Sequence, residues 1–513
     1  MKHLRIPLLL LFVAVSQVRA DAPRPNILVI FSDDQSYKTV GCYPEAPSWV
    51  KTPQIDALAS SGVRFERAYL GAWCMPSRAS MLTGRLAHGV ESMRMEGTYP
   101  GSTYHPDKTP FWPAVFRQKG YTTAHIGKWH TGIDTGWNRD WDHQIVWNRP
   151  KLPENAGNYY SAQILSFDGI EHPHPQDGYS TDNYTQWAEE FVNGKGRDPK
   201  KPWYLWLCYG AIHGPTTPAE RHLSDYKEAV PTIPQDVFGP RPGKPKYLKT
   251  TQAWIPSADG KPALKKKPKQ AGNYDRDEPG LSLEKWIIQM NQCAEAIDEG
   301  VGRLISALKT SGQLENTMVI YVADQGYAMG EHGLNMKLAP YDASYASPMI
   351  ISQPGTIPQG EVCRQPVNSP DIVATIAARA GIFIPWKIHG KDLTPLLDNP
   401  QRKDWDHPVL MTFTGASYGS DARVRPSGEV YHDVPWWIML RHHQFKYIRY
   451  LIPGETEELY DLKSDPEELN NLASQAEKSE LLKSLRGQAI DELRKTDAPF
   501  VDELPRTLQE ETL

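Results

Sequence analysis

The segment Asn26–Asp34 has the sequence Asn-Ile-Leu-Val-Ile-Phe-Ser-Asp-Asp, and it decides the fold class of the chain. Residues 26–31 form a continuous apolar run, without the alternation that marks a half-exposed strand. Such a run is typical of a strand in a parallel sheet that is covered on both faces. The run ends abruptly, and two adjacent carboxylates, Asp33 and Asp34, follow it. The sequence therefore predicts a buried parallel strand with acidic side chains at its carboxyl end.

Other parts of the chain repeat this pattern. Four later apolar runs predict strands of the same kind: Tyr121–Ile126, Trp203–Tyr209, Met318–Ala323 and Met349–Ser352. The clearest helical pattern covers residues 283–309, where apolar residues recur on one face, and Gly312 is placed to end it. Strands that alternate with helices predict an α/β fold with a large central, mostly parallel sheet flanked by helices.

Polar residues follow the predicted strands at the points where the strands end. Besides Asp33 and Asp34, they are Lys128–His130, His213 and Asp324. Because ligands of an open α/β sheet collect beyond the carboxyl ends of its strands, we expect these side chains to share one cleft. Three carboxylates and the amide oxygen of the next residue, Gln325, suit a hard cation such as Ca²⁺ or Mg²⁺. An isolated Asp-Asp pair, by contrast, is most often a turn or a helix cap.

The run Cys74–Arg85 is the most unusual stretch of the chain, with the sequence Cys-Met-Pro-Ser-Arg-Ala-Ser-Met-Leu-Thr-Gly-Arg. Pro76 favours the first turn of a helix, which places Cys74 at a helix N-terminus. A thiol there faces unpaired N–H groups and the positive end of the helix dipole, so we expect it to be reactive. Arg78 and Arg85 add positive charge. For an isolated Cys-x-Pro, a buried structural cysteine is the alternative interpretation.

This run resembles the signature of the type I sulfatases, members of the alkaline phosphatase-like superfamily, which is Cys-x-Pro-Ser-Arg followed by Leu-Thr-Gly-Arg. The resemblance implies that a modifying machinery oxidises Cys74 to formylglycine and that the hydrated aldehyde is the nucleophile. It also implies that residue 74 borders the metal, and that the α/β domain carries a smaller C-terminal α+β subdomain. Met75 departs from the small residue usual in the family. Conversion is still expected, because Cys, Pro and Arg are intact.

Further motifs match the family in order, and the resemblance assigns their roles. Lys128, in a Gly-Lys-Trp-His segment, and Lys337 are implied to bind sulfate oxygens, together with Arg78. His130 is implied to hold and activate the hydrate, and His213, in a His-x-Pro turn, to contact the leaving oxygen. We expect both histidines to titrate near the working pH.

The resemblance also implies a metal site built from Asp33, Asp34 and Asp324, with Ca²⁺ as the expected ion and Mg²⁺ as the alternative. Gln325 stands where the family usually has Asn, so its carbonyl oxygen sits on an arm one methylene longer. The assignment of Gln325 as a fourth ligand therefore rests on less than that of the three carboxylates.

Residues 1–20 have the features of a signal peptide, with a basic end, an apolar core and a small-residue cleavage site. The apolar core is too short for a stable membrane anchor, so we expect an exported, soluble protein of the periplasm or the extracellular space. Loss of Lys2, Arg5 and Arg19 would change the formal charge from −5 to −8, which makes no case for a nucleic-acid partner. Export permits disulfides, but Cys208 and Cys293 lie in patterns that favour buried free thiols.

The pattern of the chain changes near residue 385. We predict a catalytic domain over residues 21–385 and a C-terminal subdomain over residues 386–513. Within the latter, residues 436–441 and 445–450 are predicted to form paired strands before a terminal helix.

The predicted function is hydrolysis of a sulfate ester, with a sulfated carbohydrate as the favoured substrate. A phosphonate or phosphate ester hydrolase with the same aldehyde is one alternative, and an inactive protein that binds sulfated glycans is another. Residues 214–279, rich in Pro and Lys, predict a solvated surface loop. The alternative for that segment is a flap that helps to admit an anionic substrate.

Overall fold

The apolar run at residues 26–31 forms a strand in the middle of the molecule, as predicted. A computed structural model describes residues 24–96, 101–265, 280–423 and 428–511. The predicted signal peptide and most of the lysine-rich run at 265–269 lie outside the described residues. The described strands are β1 (Asn26–Ser32), β2 (Val63–Tyr69), β3 (Met93–Arg94), β4 (Thr103–Tyr104), β5 (Thr122–Trp129), β6 (His143–Asn148), β7 (Ser166–Phe167), β8 (Ile170–Glu171), β9 (Trp203–Cys208), β10 (Trp254–Pro256), β11 (Pro262–Leu264), β12 (Thr317–Ala323), β13 (Ala346–Ser352), β14 (Glu361–Cys363), β15 (Val367–Asn368), β16 (Val409–Phe413), β17 (Val430–Tyr431), β18 (Val434–Pro435), β19 (Trp437–His442), β20 (Phe445–Tyr450) and β21 (Glu458–Asp461).

One large sheet holds most of these strands, in the order β14-β2-β13-β12-β1-β9-β5-β6-β7-β8, with β15 paired to β2. The pairs from β12 through β1, β9 and β5 to β6 are all parallel. Along β1, Leu28 and Ile30 enter one apolar core, while Ile27, Val29 and Phe31 enter a second core on the other face. Both faces of the sheet are therefore covered, which confirms the predicted α/β fold and explains the unbroken apolar run.

Strand β13 differs from the prediction in its direction, since it runs antiparallel to both β12 and β2. β12 ends at Ala323, and the chain returns to the sheet at Ala346 from the same edge. A strand that re-enters from the edge where its neighbour ended must run the opposite way, because a parallel strand needs a crossover to the far edge. The apolar run at residues 349–352 carried no signal of this direction.

The helices of the described part are α1 (Pro53–Ser60), α2 (Cys74–Thr83), α3 (Pro113–Gln118), α4 (Ser180–Val192), α5 (Tyr247–Thr250), α6 (Leu283–Thr310), α7 (Asp342–Tyr345), α8 (Ser369–Ala380), α9 (Thr394–Asp398), α10 (Ser479–Lys495) and α11 (Leu508–Glu511). Helix α6 buries the predicted apolar face, and Gly312 follows its last turn with a φ of 67°. None of the described helices is long and apolar enough to cross a bilayer.

A second sheet, in the order β16-β19-β20-β21, is antiparallel and lies in the C-terminal part of the chain. The predicted pair of strands corresponds to β19 and β20, and the predicted terminal helix to α10. The domain boundary near residue 385 stays a prediction. All five cysteines are free, and Cys208 and Cys293 are buried, as predicted.

The described part of the Pro- and Lys-rich segment, residues 214–265, keeps many exposed residues, as its composition predicted, but it also contributes side chains to the core. Apolar residues set among the prolines are buried in the core: Val237, Tyr247, Leu248 and Trp254. Lys244 is buried as well, with its ammonium group 3.6 Å from a carboxylate oxygen of Glu458 in β21. Parts of the segment therefore pack against the C-terminal sheet, and the rest lies at the surface.

His88 joins the large domain to the C-terminal part of the chain. Its Nδ1 lies 2.9 Å from Oγ1 of Thr412 in β16, and its Nε2 lies 3.0 Å from Oγ1 of Thr496, just beyond α10. The ring is buried, and burial lowers the pKa of His88 to about 4. A lowered histidine pKa means that the neutral form stabilises the fold. That contribution is complete above the unfolded-state pKa of about 6.5 and is lost as the pH falls toward 4.

We therefore expect acid to destabilise the protein in part through His88. Between these two pKa values the unfolded chain binds a proton that the folded chain excludes, at a cost of roughly 3 kcal/mol. His88→Gln keeps polar atoms at this position but does not titrate there. Its Tm should fall less than that of the wild type between about pH 7 and about pH 4.5. His105→Gln, at an exposed histidine, is the control and should match the wild type. Equal falls in wild type and His88→Gln would contradict this account.

Candidate active site

The carboxyl ends of β1, β5, β9 and β12 meet at one edge of the sheet, and the predicted site residues lie there. Backbone pairing continues past the strands, since Asp33 N donates to Ala211 O at 2.8 Å and Asp324 N donates to Ser32 O at 3.0 Å. Nine of the predicted side chains form one connected cluster: Asp33, Asp34, Cys74, Arg78, Lys128, His213, Asp324, Gln325 and Lys337. The tenth, His130, directly follows β5.

Three carboxylates form the floor of the cleft. Oxygen atoms of Asp33, Asp34 and Asp324 lie within 4.8 Å of one another, and all three residues are buried. Oδ1 of Asp324 accepts the backbone N–H groups of Asp34 at 2.9 Å and Gln325 at 3.0 Å. Asp34 adopts a φ of 57°, a left-handed conformation that Asp tolerates better than most residues.

Three side-chain cations neutralise these carboxylates in the structure. The ammonium group of Lys128 contacts Asp33, and that of Lys337 lies 2.8 Å from Oδ1 of Asp34. Arg78 Nη2 lies 3.1 Å from Asp33 and 3.5 Å from Asp324. Burial alone would raise the pKa of Asp33, but the charges of Lys128 and Arg78 outweigh it and lower that pKa to about 2. Burial and the neighbouring Asp33 charge raise the pKa of Asp324 to about 7.

The donor set at the floor fits a hard cation. Ca²⁺ binds oxygen at 2.3–2.6 Å, so oxygens up to about 5 Å apart can share one ion. The carboxylates of Asp33, Asp34 and Asp324 meet this limit. Gln325 fits less directly, because its Nε2 contacts Asp34 and its Oε1 accepts a hydrogen bond of 3.1 Å from Ser77. Its amide must turn before the oxygen can bind a cation.

Cys74 opens helix α2, as the proline predicted, and its thiol faces the carboxylates. Sγ lies 3.5 Å from Oδ1 of Asp33 and 3.0 Å from Nζ of Lys337. The expected reactivity of the unmodified thiol is contradicted, because burial, followed by the charge of Asp33, raises its pKa to about 11. These effects outweigh the nearby ammonium groups and the helix terminus. The structure thus does not favour a thiolate nucleophile at this position.

His213 is held by Tyr159, a residue that sequence reasoning missed. The two rings stack with centroids 3.9 Å apart, and the Tyr159 hydroxyl lies 3.0 Å from Nε2. Nδ1 lies 2.5 Å from the carbonyl oxygen of Gly214, which can only accept, so Nδ1 carries the proton. Nε2 then accepts from Tyr159 and lies 3.5 Å from Asp34 in the cleft. Tyr159 belongs to an irregular segment, and no local motif marked it.

His130 is held by Arg149, a second residue that the sequence analysis missed. Nη1 of Arg149 lies 3.0 Å from Nδ1 and 3.1 Å from Nε2 of the buried imidazole. Because a guanidinium group can only donate, the ring nitrogen that it meets is an acceptor. The sequence did contain a signal for Arg149, because this residue directly follows β6. Polar residues just beyond the ends of parallel strands were the pattern that predicted the other site residues.

Both histidines are neutral at pH 7, contrary to the expectation that they titrate near the working pH. Burial and the charge of Arg149 lower the pKa of His130 well below its ordinary value. Burial and the charge of Lys337 do the same for His213. An anion bound among these cations would favour protonation again, because it would offset their charge. The structure therefore brings three carboxylates, three side-chain cations and two imidazoles together around Cys74, which suits hydrolysis of an anionic ester.

Comparisons with known proteins agree with this chemistry. A family model described as Sulfatase matches residues 25–382, and a model described as N-sulphoglucosamine sulphohydrolase, C-terminal, matches residues 330–496. An N-acetylglucosamine-6-O-sulfatase of Bacteroides thetaiotaomicron is 28% identical, over 93% of this chain and 87% of its own length. An ulvan-active sulfatase of Formosa agariphila is 26% identical, over 94% of this chain and 82% of its own length.

Solved structures show the same fold. A protein in complex with its substrate, D-glucosamine-2-N,6-O-disulfate, superposes with a TM-score of 0.76 at 25% identity, covering 94% of this chain and 99% of that one. A phosphonate monoester hydrolase from Silicibacter pomeroyi has a TM-score of 0.70 at 20% identity, covering 92% and 96%, a likeness of fold alone. The Sulfatase family model matches well over half of the residues of this chain, so the chain belongs to the sulfatase family and is a sulfuric ester hydrolase.

Proposed function

We propose that this chain is an exported sulfatase that removes sulfate from a carbohydrate, with a nucleophile derived from Cys74 and a bound calcium ion. The observation that carries the proposal is the setting of Cys74. Its Sγ lies 3.0 Å from the ammonium group of Lys337 and 3.5 Å from a carboxylate oxygen of Asp33. A nucleophile at this position would lie between a cation that attracts an anionic ester and a carboxylate that can hold a metal.

Carbohydrate is the proposed substrate class because several relatives are named for sulfated sugars. They include the N-acetylglucosamine-6-O-sulfatase, the ulvan-active sulfatase and a Δ4,5-hexuronate-2-O-sulfatase of Bacteroides thetaiotaomicron. A choline-sulfatase of Rhizobium meliloti, 25% identical over 88% of this chain and 82% of its own length, acts on a smaller ester by its name. The features of residues 1–20 support export to the periplasm or the extracellular space.

Formylglycine at position 74 would supply a hydrated aldehyde as nucleophile, and Ca²⁺ would supply positive charge to the sulfate oxygens. Asp33, Asp34 and Asp324 would hold the ion, with Gln325 as a fourth ligand after its amide turns. Conversion of Cys74 requires the cell's formylglycine-generating machinery. The carboxylates then have a metal partner, so the ammonium groups beside them become available to the substrate.

The cations divide into an outer and an inner set. The Lys337 side chain is 17% exposed, whereas those of Lys128 and Arg78 are essentially inaccessible. A sulfate ester that enters the cleft would therefore meet Lys337 first and the other two beneath it. Such preorganised cations stabilise the charge that develops on the sulfate oxygens as the ester bond breaks.

The two histidines would serve opposite ends of the reaction. His213, partly exposed and stacked on Tyr159, is placed to give a proton from Nε2 to the departing alcohol once substrate has raised its pKa. His130, buried against Arg149, is placed to orient the nucleophile and take its proton. Tyr159 and Arg149 act through these histidines and are positioning residues.

Mass spectrometry should find formylglycine at position 74 when the chain is made in a host that modifies a control sulfatase. The modified peptide is lighter than the cysteine peptide and reacts with hydrazides, and in an exporting host the chain should begin at Asp21. Cys74→Ala should remove turnover without changing Tm. Cys74→Ser should do the same in a host that cannot oxidise serine. A peptide that contains only cysteine, beside a fully converted control sulfatase, would overturn the proposed nucleophile.

The metal site predicts different effects for two neighbouring substitutions. Asp324→Asn removes one of three carboxylates and should lower both Ca²⁺ affinity and kcat/KM by at least about tenfold. Gln325→Asn keeps the amide on a shorter arm and should change both by less than about tenfold, because the side chain still offers a carbonyl oxygen and all three carboxylates remain. Calorimetry and steady-state kinetics measure the two quantities. Full activity of a thoroughly chelated sample would show that no metal is needed.

Substrates with different leaving groups separate the histidine roles. His213→Ala should lower kcat/KM for an alkyl or sugar sulfate about 10²-fold or more, and far less for an activated aryl sulfate, whose phenolate leaves without a proton. His130→Ala and Lys337→Ala should slow both substrates, since attack and charge stabilisation serve each of them. Tyr159→Phe, which keeps the stacked ring and removes the hydroxyl, should follow the pattern of His213→Ala more weakly. If His213→Ala lowers kcat/KM equally for both substrates, His213 binds sulfate and does not protonate the leaving group.

A further inference from the structure

A second group of metal-ligating side chains lies outside the catalytic cleft, between the single turn Glu220–His222 and helix α6. Nδ1 of His222 lies 2.8 Å from Oδ2 of Asp225 and 2.9 Å from Oε2 of Glu295. On the other side of the ring, Nε2 lies 3.3 Å from Oε1 of Glu299. His222 is buried, while Asp225 and Glu295 keep partial access to solvent, with side chains 35% and 16% exposed.

The contacts among these atoms need either shared protons or a positive charge at their centre. If the ring proton of His222 lies on Nε2 toward Glu299, Nδ1 presents a lone pair to two carboxylate oxygens. The carboxyl groups of Asp225 and Glu295 also contact each other. Three acceptors this close repel one another unless a cation or shared protons lie between them. One divalent ion meets this demand at once, whereas protons must occupy two separate contacts.

We propose that His222, Asp225 and Glu295 bind one divalent transition-metal ion, such as Zn²⁺. An imidazole nitrogen with two carboxylates favours such an ion over Ca²⁺, which prefers oxygen alone. Tetrahedral bonds of 2.0–2.2 Å place ligand atoms about 3.3–3.6 Å apart. The observed separations from Nδ1, 2.8 and 2.9 Å, are those of hydrogen bonds, so the ligand atoms must move apart by about 0.5 Å to admit the ion. The solvent-accessible side supplies the entry path and a fourth position for water.

The surrounding residues hold these ligands in place. Gln292, one turn before Glu295 on α6, donates to the carbonyl oxygens of Leu223 at 3.2 Å and Asp225 at 2.9 Å. Arg221 holds Glu299 at 2.6 Å, and Glu299 in turn faces Nε2 of the histidine. At zinc sites the second nitrogen of a ligating histidine usually donates to a carboxylate, which directs the other nitrogen to the metal. Glu299 would take that role when the metal binds, since Nε2 of His222 makes no hydrogen bond to any residue that the structure describes.

The metal would join two parts of the chain that are far apart in sequence. His222 and Asp225 belong to the segment that begins just after His213, and Glu295 belongs to α6. A metal bond between them would tie the segment to the helix and stabilise the fold. The proposal does not depend on the catalytic assignment, because none of the three ligands contacts the proposed calcium ligands.

The test is a Zn²⁺ titration of the full-length protein saturated with Ca²⁺. Cys74→Ala, His442→Ala and His443→Ala are introduced throughout, because the cleft and an exposed cluster at Asp406 offer competing ligands. Calorimetry should find one equivalent of Zn²⁺, elemental analysis should confirm it, and Tm should rise by several degrees. The double variant Asp225→Asn/Glu295→Gln should bind Zn²⁺ at least about 100-fold more weakly. Glu284→Gln, also on α6 and paired with Lys261, should bind it normally.

Asp324→Asn separates the two metal sites, since it should weaken Ca²⁺ binding and leave the Zn²⁺ equivalent unchanged. Loss of Ca²⁺ binding in every protein, with Zn²⁺ still bound, would contradict only the calcium proposal. Absence of a Zn²⁺ equivalent, or equal affinity in the double variant, would overturn the site at His222. A different pair of results would also overturn the site: Zn²⁺ leaves the Tm unchanged, and Asp225→Asn alone raises the Tm at neutral pH. Shared protons would then explain the contacts. The stoichiometry and Tm shift of the parent protein decide the matter even if the double variant misfolds.

Discussion

Three carboxylates packed together below the surface of the protein are the constraint on which the site depends. Asp33, Asp34 and Asp324 lie within 4.8 Å of one another, away from water, and such an arrangement is stable only with compensating charge. Lys128, Lys337 and Arg78 supply that charge in the structure. The parallel pairing of β1 with β12 makes the arrangement possible, because it places two strand ends side by side.

Nearby cations also lower the pKa values of the two imidazoles at the site. Arg149 and Lys337 add to burial in lowering the pKa of His130 and His213, so both imidazoles are neutral before an anion arrives. Tyr159 and the Gly214 carbonyl orient His213 in the tautomer whose Nε2 is free of a proton. A substrate that brings negative charge would shift these equilibria itself. Substrate binding and protonation of the two histidines are thus coupled through one cluster of charges.

Buried charge elsewhere in the molecule behaves differently and shows what a purely structural network looks like. Glu458 in the C-terminal sheet accepts from the hydroxyl groups of Tyr341, Tyr450 and Tyr460. Lys446 bridges two carboxylates at 2.7 Å each. Every acceptor there has a matching donor. In the group around His222, by contrast, two carboxylates converge on one imidazole nitrogen and on each other, so the contacts depend on shared protons. That dependence is the physical reason to place a cation there.

The sequence alone determined the α/β class, the strands around β1, helix α6 and the type of chemistry, because apolar periodicity and the run at Cys74 are local properties of the chain. Polar residues at strand ends predicted the cleft, since parallel strands must end at one edge. Only the tertiary structure decided the reversed direction of β13, the buried contacts of Lys244 and Tyr247, the partners Arg149 and Tyr159, and the pKa values of Cys74 and the histidines. Each of these depends on which distant residues pack together and how far they exclude water. Neither the packing partners nor the degree of burial can be predicted from the spacing of residues along one segment.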